Sequence, residues 1–307
     1  MKSLSRWSAI ITTLWTLALL SSACSGTEPP PEPRTLRVAV LLPQDAAQIP
    51  PALAWGAEQI NQGGANRLEL VALPYQTQEA LDAHVDAILA DDAFVATIAA
   101  MRSASLAKIA DRFLLAQRPL IAFNSTASSL FRAYGGKSFL WRTQQSDIAQ
   151  TELLLHHARI QDAKRVMLLA GEGLDSSGFF DWFGFFATET RAFESFSQHL
   201  VPGSASCVDQ VLELLSPRPD MVFVALDTPQ MLSCMVAAYD KSRVEGLPPL
   251  RMILVDTGLS LQQLPKEGPK VFGLEGFTSA PDPANGFEAA FLARTGLANL
   301  PSDAANA

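Results

Sequence analysis

Short apolar runs recur along the chain and alternate with segments of helical periodicity. The run at residues 36–42 (LRVAVLL) is almost entirely apolar, which is typical of a strand buried on both faces of a sheet. Similar runs lie at residues 68–73, 94–99, 119–123, 165–169, 193–200, 221–226, 251–255 and 271–277. Helices are predicted at residues 51–62, 78–89, 103–117, 146–158, 177–190, 207–215, 229–239 and 287–294. Strands that alternate with helices predict parallel sheets covered by helices on both faces.

This alternation occurs twice along the chain, which is more than one compact sheet of ordinary size needs. We therefore predict an α/β protein with two doubly wound parallel-sheet lobes joined by a hinge. The first lobe would comprise residues 35–144 and 278–307, and the second residues 145–277. The chain would pass to the second lobe near residues 141–146 and return near residues 278–283.

The N-terminal segment has the pattern of an export signal. Two basic residues precede an uncharged apolar stretch at residues 7–20, which is too short to span a bilayer comfortably. Residues 21–24 (SSAC) resemble the lipobox of bacterial lipoproteins, in which the signal is cut before a cysteine that receives a diacylglyceryl group. We therefore expect a signal peptide at residues 1–23 and a lipid anchor on Cys24. The alternative is an ordinary signal peptide cut nearby.

A proline-rich segment follows the predicted anchor. Residues 24–34 (CSGTEPPPEPR) form an extended tether, because proline fixes φ and removes a backbone donor. Ser25 stands where Asp would favour retention in the inner membrane, so outer-membrane sorting stays open. We expect a periplasm-facing lipoprotein of the bacterial cell envelope.

Charge and residue types argue against several classes of function. The formal net charge of −8 disfavours nucleic acid and anionic lipid surfaces as partners. The sequence has four histidines without metal-ligand spacing: His84, His156, His157 and His199. No G-x-S-x-G elbow or pair of catalytic acids is recognisable. We expect neither catalysis nor a metal or cofactor.

Cys207 and Cys234 are the two cysteines that remain beside Cys24. They lie on consecutive predicted helices, and an oxidising envelope would permit a disulfide between them. We favour two small buried thiols instead, because cysteine is often simply a core residue.

Several ordered segments resemble the periplasmic substrate-binding proteins of branched-chain amino acid ABC transporters, which have the type I periplasmic binding fold. The matching segments are LRVAVLLP (36–43), EQINQGG (58–64), PLIAFNSTASSL (119–130), FLWRTQQSDIAQ (139–150), KRVMLLA (164–170), PDMVFVAL (219–226), DTGLS (256–260) and GLEGFTSAPDP (273–283). The resemblance implies that an amino acid-like small molecule binds between the lobes. Hinge closure would then present the closed form to an ABC permease.

The resemblance also places ligand contacts in the first lobe. In relatives, the loops after the third and fourth strands hold the ligand carboxylate with hydroxyls and backbone N–H groups, some of them at helix N-termini. The corresponding positions here are Ser103, Asn124 and Thr126. The alternative is that these residues only cap a helix and form a turn.

The second lobe fits the relatives less well. Where they place an aromatic residue and an acid to hold an ammonium group, this chain has Asp227, and then Asp256 beside Thr257. Two carboxylates at neighbouring strand ends can pair with a cation, or they are solvated loop acids. A glycine-rich loop at residues 171–178 (GEGLDSSG) replaces a loop that often carries tyrosine in relatives.

Relatives continue past the segment that corresponds to residues 300–307, so we expect either a fragment or a shortened derivative. This departure and the altered second-lobe contacts support an alternative function on the same fold, because a fold does not fix a function. The alternative is a ligand sensor or envelope accessory lipoprotein that does not serve transport and has a degenerate site.

Overall fold

The computed structural model describes residues 33–43, 50–64, 66–134, 139–202, 207–243, 250–255, 274–277 and 286–296. The predicted signal peptide, Cys24, most of the tether, Asp256, Thr257 and the return of the chain near residues 278–283 lie outside these ranges. Within them, no helix combines the length and apolar character that crossing a membrane requires.

Ten strands and nine helices alternate along the described residues. The strands are β1 Thr35–Pro43, β2 Arg67–Tyr75, β3 Phe94–Ala100, β4 Leu120–Phe123, β5 Leu140–Arg142, β6 Arg165–Ala170, β7 Ser195–Leu200, β8 Met221–Ala225, β9 Met252–Val255 and β10 Leu274–Phe277. The helices are α1 Pro51–Gly63, α2 Gln78–Ala90, α3 Ser103–Leu115, α4 Ser128–Tyr134, α5 Asp147–Ile160, α6 Leu174–Thr190, α7 Cys207–Leu215, α8 Pro229–Lys241 and α9 Phe287–Thr295.

The strands form two five-stranded sheets in which all neighbours are parallel. The first sheet has the order β2-β1-β3-β4-β5, and the second has β10-β9-β8-β6-β7. Each sheet therefore has its own first strand between its second and third strands. The predicted fold class, two doubly wound parallel-sheet lobes, is confirmed.

Helices cover both faces of the first sheet, which explains why its strands are apolar throughout. Ala39 and Leu41 of β1 face one buried cluster, to which α2 and α3 contribute residues such as Val85. Val40 and Leu42 face the opposite cluster. Successive side chains of a strand point to opposite faces, so a strand covered on both sides carries no polar alternation.

The second sheet is covered in the same way. Leu169 of β6 and Val224 of β8 pack in a cluster with α7 and α8. Leu168 and Phe223, their neighbours along the strands, pack on the other face with α5 and α6. The alternation again places one buried cluster on each face.

A disulfide joins Cys207 of α7 to Cys234 of α8. Our preference for two free thiols was wrong. The two helices pack side by side on the same face of the second sheet, which brings the two Cα atoms to 6.1 Å. That separation lies within the range that a disulfide spans.

The sequence pattern did not predict α4 and β5. The first has seven residues and the second three, too few to show a helical or a strand period. β5 pairs with β4 and completes the first sheet, so residues 141–142 belong to a strand at the point where we placed the passage between the lobes.

The last described helix packs against the first sheet's layer of helices. Phe291 of α9 is fully buried and forms a small cluster with Ala52 and Trp55 of α1. Arg294 of α9 also forms an ion pair with Glu58 of α1. The chain thus returns to the first sheet after completing the second, while the exact lobe boundaries stay a prediction.

Candidate functional site

The two sheets contact each other through corners at the carboxyl ends of their strands. The corner after β3, which contains Arg102 and Ser103, meets the start of α6 and the corner after β8. In each sheet the strand order reverses beside the first strand, and open α/β sheets bind ligands outside the strand ends at such a reversal. The contact between the corners is therefore the candidate cleft.

Ser103 is the first residue of α3 and is completely buried. Its N–H donates to Oδ1 of Asp175, a residue of the second lobe, over 2.8 Å. Its hydroxyl accepts from the N–H of Ala127 at 3.2 Å and also forms a hydrogen bond with the Asp175 carboxyl. The corner therefore offers two donors to a carboxylate, and the carboxylate that it holds is that of Asp175.

The loop after β4 lies against the loop after β3. The Ser125 hydroxyl donates to the carbonyl of Met101 at 2.7 Å, beside the bond between Ser103 and Ala127. Asn124 has a φ of 74°, in the left-handed region that asparagine tolerates better than most residues. The predicted residues Ser103, Asn124 and Thr126 thus stand on two loops that hydrogen bonds join.

A second buried carboxylate organises the same corner. Asp147, at the start of α5, is fully buried, and both its carboxylate oxygens lie 3.1 Å from the N–H of Ser128. Oδ1 also accepts from the N–H of Ile148 at 2.8 Å. The Thr126 carbonyl accepts from the Asp147 N–H at 3.0 Å and from the Arg142 side chain at 2.9 Å. Thr126 is thereby fixed through its backbone.

Asp175 lies in the first turn of α6, where the helix dipole stabilises a negative charge. We expected a loop up to residue 178, but α6 begins at Leu174 after Gly173, so that expectation was wrong. Burial raises the pKa of the Asp175 carboxyl. The charge of Arg102 and the hydrogen bonds from Ser103 oppose this shift without reversing it.

Asp227 follows β8, and its carboxylate faces its own lobe. Oδ2 accepts from the N–H of Gly173 at 2.6 Å, while Oδ1 is buried and has no hydrogen-bond partner. A Cβ on Gly171 would lie 2.6 Å from the Asp227 Cγ, so glycine is required for this approach. The carbonyls of Leu226 and Asp227 accept from the guanidinium of Arg102. The glycine-rich loop thus holds a carboxylate of its own lobe.

Arg102, Asp147 and Asp175 were missing from our predicted site. Asp147 reads as an ordinary acid in the first turn of a helix, and nothing marks it as buried. Arg102 lies two residues after β3, and Asp175 lies five residues after β6. Opposite charges after the first-lobe and second-lobe strands are the signal that would have found this pair.

Two surface cavities lie away from these corners. One of about 390 Å³ lies between α5 and α6 beside His156, and one of about 450 Å³ lies beside Asn61 and Arg67. In the described part of the chain, no three metal-ligating side chains cluster in a way that could hold a metal ion.

No protein-family model matches the sequence, and no curated protein matches it either. Solved structures do match. An ABC transporter substrate-binding protein from Desulfitobacterium hafniense in complex with Leu is 17% identical, with a TM-score of 0.70 over 89% of this chain and 80% of that chain. A leucine-binding protein from Thermotoga maritima is 19% identical, with a TM-score of 0.65 over 89% and 79%.

A branched-chain amino acid transporter substrate-binding protein from Streptococcus pneumoniae, in complex with isoleucine, is 14% identical. Its TM-score is 0.65 over 88% of this chain and 80% of that chain. Coverage of this extent includes both sheets. The chain therefore has the type I periplasmic binding protein fold that the sequence predicted.

Proposed function

We propose that the protein is an extracytoplasmic solute-binding lipoprotein of an ABC transporter and not an enzyme. It would bind an amino acid or a similar small polar ligand between its lobes. The observation that carries the proposal is the carboxylate held by the buried N–H and hydroxyl of Ser103. The structural neighbours from Desulfitobacterium hafniense and Streptococcus pneumoniae, whose complexes contain Leu and isoleucine, support a ligand of this chemistry.

In this proposal the ligand carboxylate binds at the corner formed by Ser103, Asn124 and Thr126. The N-terminus of α3, with the backbone N–H of Ser103, favours a negative charge there. The ligand's ammonium group lies toward the second lobe, where Asp227 has a carboxylate oxygen without a hydrogen-bond partner. Asp256 and Thr257, which follow β9 in the sequence and lie outside the described residues, are proposed as further contacts of the ammonium group. The bridging ligand favours the closed form, and a permease recognises that form.

One observation favours a second candidate, a sensor or envelope accessory lipoprotein that does not serve transport. The carboxylate at Ser103 comes from the chain itself, and the lobes are in contact through it. A protein whose own carboxylate occupies the Ser103 corner can hold its lobes in one arrangement and present a constant surface to a partner. Uptake assays separate the candidates, because transport requires that cells lacking the protein lose uptake of the ligand, whereas an accessory role leaves uptake unchanged.

A ligand screen tests binding itself. The full chain in detergent is heated with each of the twenty amino acids, their amides and short peptides, since a ligand that binds the native state raises the melting temperature. Calorimetry then measures affinity for the hit in Ser103→Ala and Thr126→Ala. We expect about 10-fold weaker binding in the former, because one hydrogen bond to a charged group is lost.

The controls separate binding from folding. Ser103→Ala also removes the acceptor of the buried Ala127 N–H, so its melting temperature and circular dichroism are measured alongside. Thr188→Ala, which removes a hydroxyl on the exposed side of α6, should leave affinity unchanged. A screen without any hit, or unchanged affinity in both site variants, would refute the proposed binding site.

The lipid anchor is tested separately. Cells that express the protein are grown with a radioactive fatty acid. We expect the protein to be labelled and Cys24→Ala to abolish the label. Labelling that persists in the variant would contradict the anchor.

A further inference from the structure

At the corner after β3, one charged side chain from each lobe reaches into the other lobe. From the second lobe, Asp175 inserts its carboxylate beside the N–H of Ser103, at 2.8 Å. From the first lobe, Arg102 extends its guanidinium to the carbonyls of Leu226 and Asp227, with 2.6 Å to the former. The negative charge of one lobe thus lies among donors of the other, and the positive charge lies among acceptors.

The two charges also contact each other. Nε of Arg102 lies 3.3 Å from Oδ2 of Asp175, as an ion pair without the alignment of a hydrogen bond. The Asp175 side chain is 7% exposed and the Arg102 side chain 30%, so solvent screens this contact less than a surface pair. Removing either partner leaves the other charge partly buried without its counter-charge.

An α-amino acid carries the same two charges in one small molecule. A ligand bridging these lobes would place a carboxylate at the Ser103 corner and an ammonium group near the second-lobe acceptors. The chain already places a carboxylate and a cation there, on opposite lobes and in mutual contact. The pair therefore has the charge arrangement of a bound zwitterion.

We infer that Arg102 and Asp175 form an internal substitute for a zwitterionic ligand, which holds the lobes together when the cleft is empty. The inference rests on the proposed function, because it assigns the cleft to an amino acid-like ligand. A ligand must displace the pair. Its apparent affinity is consequently reduced by the fraction of molecules in which the pair is closed.

The pair also selects the chemistry of the ligand. A simple carboxylate would displace Asp175 but leave the second-lobe acceptors to Arg102, and a simple amine would displace Arg102 but leave Asp175 in place. Only a ligand with both charges replaces both contacts. Arg102 and Asp175 thus act as residues that determine specificity for zwitterions.

The distance between the lobes tests this inference without any ligand. Spin labels are attached at Leu115→Cys in the first lobe and Ile160→Cys in the second, both of which replace exposed residues, at 84% and 67%. The full chain is used in detergent with Cys24→Ser, so that only the introduced cysteines react while the disulfide stays closed. Pulsed electron paramagnetic resonance then measures the distribution of distances between the two spin labels.

We expect one narrow distribution for the unliganded protein and a shift to longer, broader distances in Asp175→Asn and in Arg102→Gln. Arg112→Gln is the matched control, because Arg112 lies on α3, the helix that begins directly after Arg102, and its ion partners Asp82 and Asp86 belong to the first lobe. Its distribution should equal that of the unmodified protein. Circular dichroism confirms that each variant is folded, and Arg102→Lys, which keeps the charge, should shift the distances less than Arg102→Gln.

Unchanged distances in both Asp175→Asn and Arg102→Gln, or a broad distribution in the unmodified protein, would overturn the inference. These outcomes are independent of the ligand screen. If the screen finds no ligand but the distances between the labels increase in the variants, the proposed function fails, while the role of Arg102 and Asp175 in holding the lobes together remains. If a ligand binds but the distances do not change in the variants, that role fails and the proposed function remains.

Discussion

Asp147 offers the sharpest test of how the candidate site is built. Its carboxylate is fully buried and accepts from the backbone N–H groups of Ser128 and Ile148, at 3.1 and 2.8 Å. Gly178 of α6 packs so closely against it that a Cβ would lie 2.6 Å from its Cγ. The residue thus joins the loop after β4 to α5 and α6. Asp147→Ala should therefore lower the stability of the fold.

The expected loss of stability follows from the hydrogen bonds. Alanine leaves the buried Ser128 N–H without an acceptor and also removes the Asp147 Oδ1 acceptor of the Ile148 N–H in the first helical turn. A buried donor left unsatisfied costs about 1–3 kcal/mol. The two donors together predict a decrease of about 2–6 kcal/mol in the free energy of unfolding. Asp147→Asn keeps one oxygen, so a smaller decrease is expected.

Urea unfolding followed by circular dichroism measures this difference, with the slope against urea checked for a constant unfolded state. Asp86→Ala is the control, since that carboxylate pairs with Arg112 while its side chain is 77% exposed. Exposed pairs of this kind contribute less than about 1 kcal/mol. A loss in Asp147→Ala no larger than that of the control would refute the structural role of the buried carboxylate.

Two further predictions concern close packing and ionisation. Gly171→Ala should lower the melting temperature, because its methyl group would overlap the Asp227 carboxylate. Gly56→Ala is the control and should leave the melting temperature unchanged, because the space at its Cβ position is open. Equal melting temperatures in the two variants would contradict the close packing at Gly171. Burial raises the pKa of the Tyr134 phenol from 10.0 to about 12, and a hydrogen bond to Asp111 and the negative charge of that residue act in the same direction. The neutral phenol's contribution to stability is thus present below pH 10.0 and lost as the pH rises through about 12. The ionisation of Tyr134 is measured as the difference in ultraviolet absorbance between the unmodified protein and Tyr134→Phe during a pH titration. A midpoint near pH 10.0 in that difference would contradict the raised pKa.

The sequence predicted the fold where physical signals are local and strong. β1 was expected at residues 36–42 and spans Thr35–Pro43, because a strand covered on both faces must be apolar throughout. α7 has the predicted bounds, Cys207–Leu215. β5 was not predicted, because only Leu140 of its three residues is buried and so no strand pattern of apolar residues develops.

The candidate site could be predicted only in part. Ser103 and Thr126 follow strands of the first sheet, and strand ends of one sheet meet at the same edge, so their approach could be expected. The occupation of this corner by Asp175 depends on how the two lobes contact each other, at a separation of 72 residues along the chain. Local periodicity contains no signal for such a contact. The same is true of the disulfide, which depends on the packing of two helices.

The central claim is that the Ser103 corner binds the carboxylate of the ligand. The most direct test combines the amino acid with the largest thermal shift and its analogue without the carboxylate, each titrated into the unmodified protein and Ser103→Ala. The account predicts that losing the carboxylate weakens binding to the unmodified protein about 10-fold or more, and that this difference largely disappears in the variant. Equal losses in both proteins would show that the carboxylate binds elsewhere.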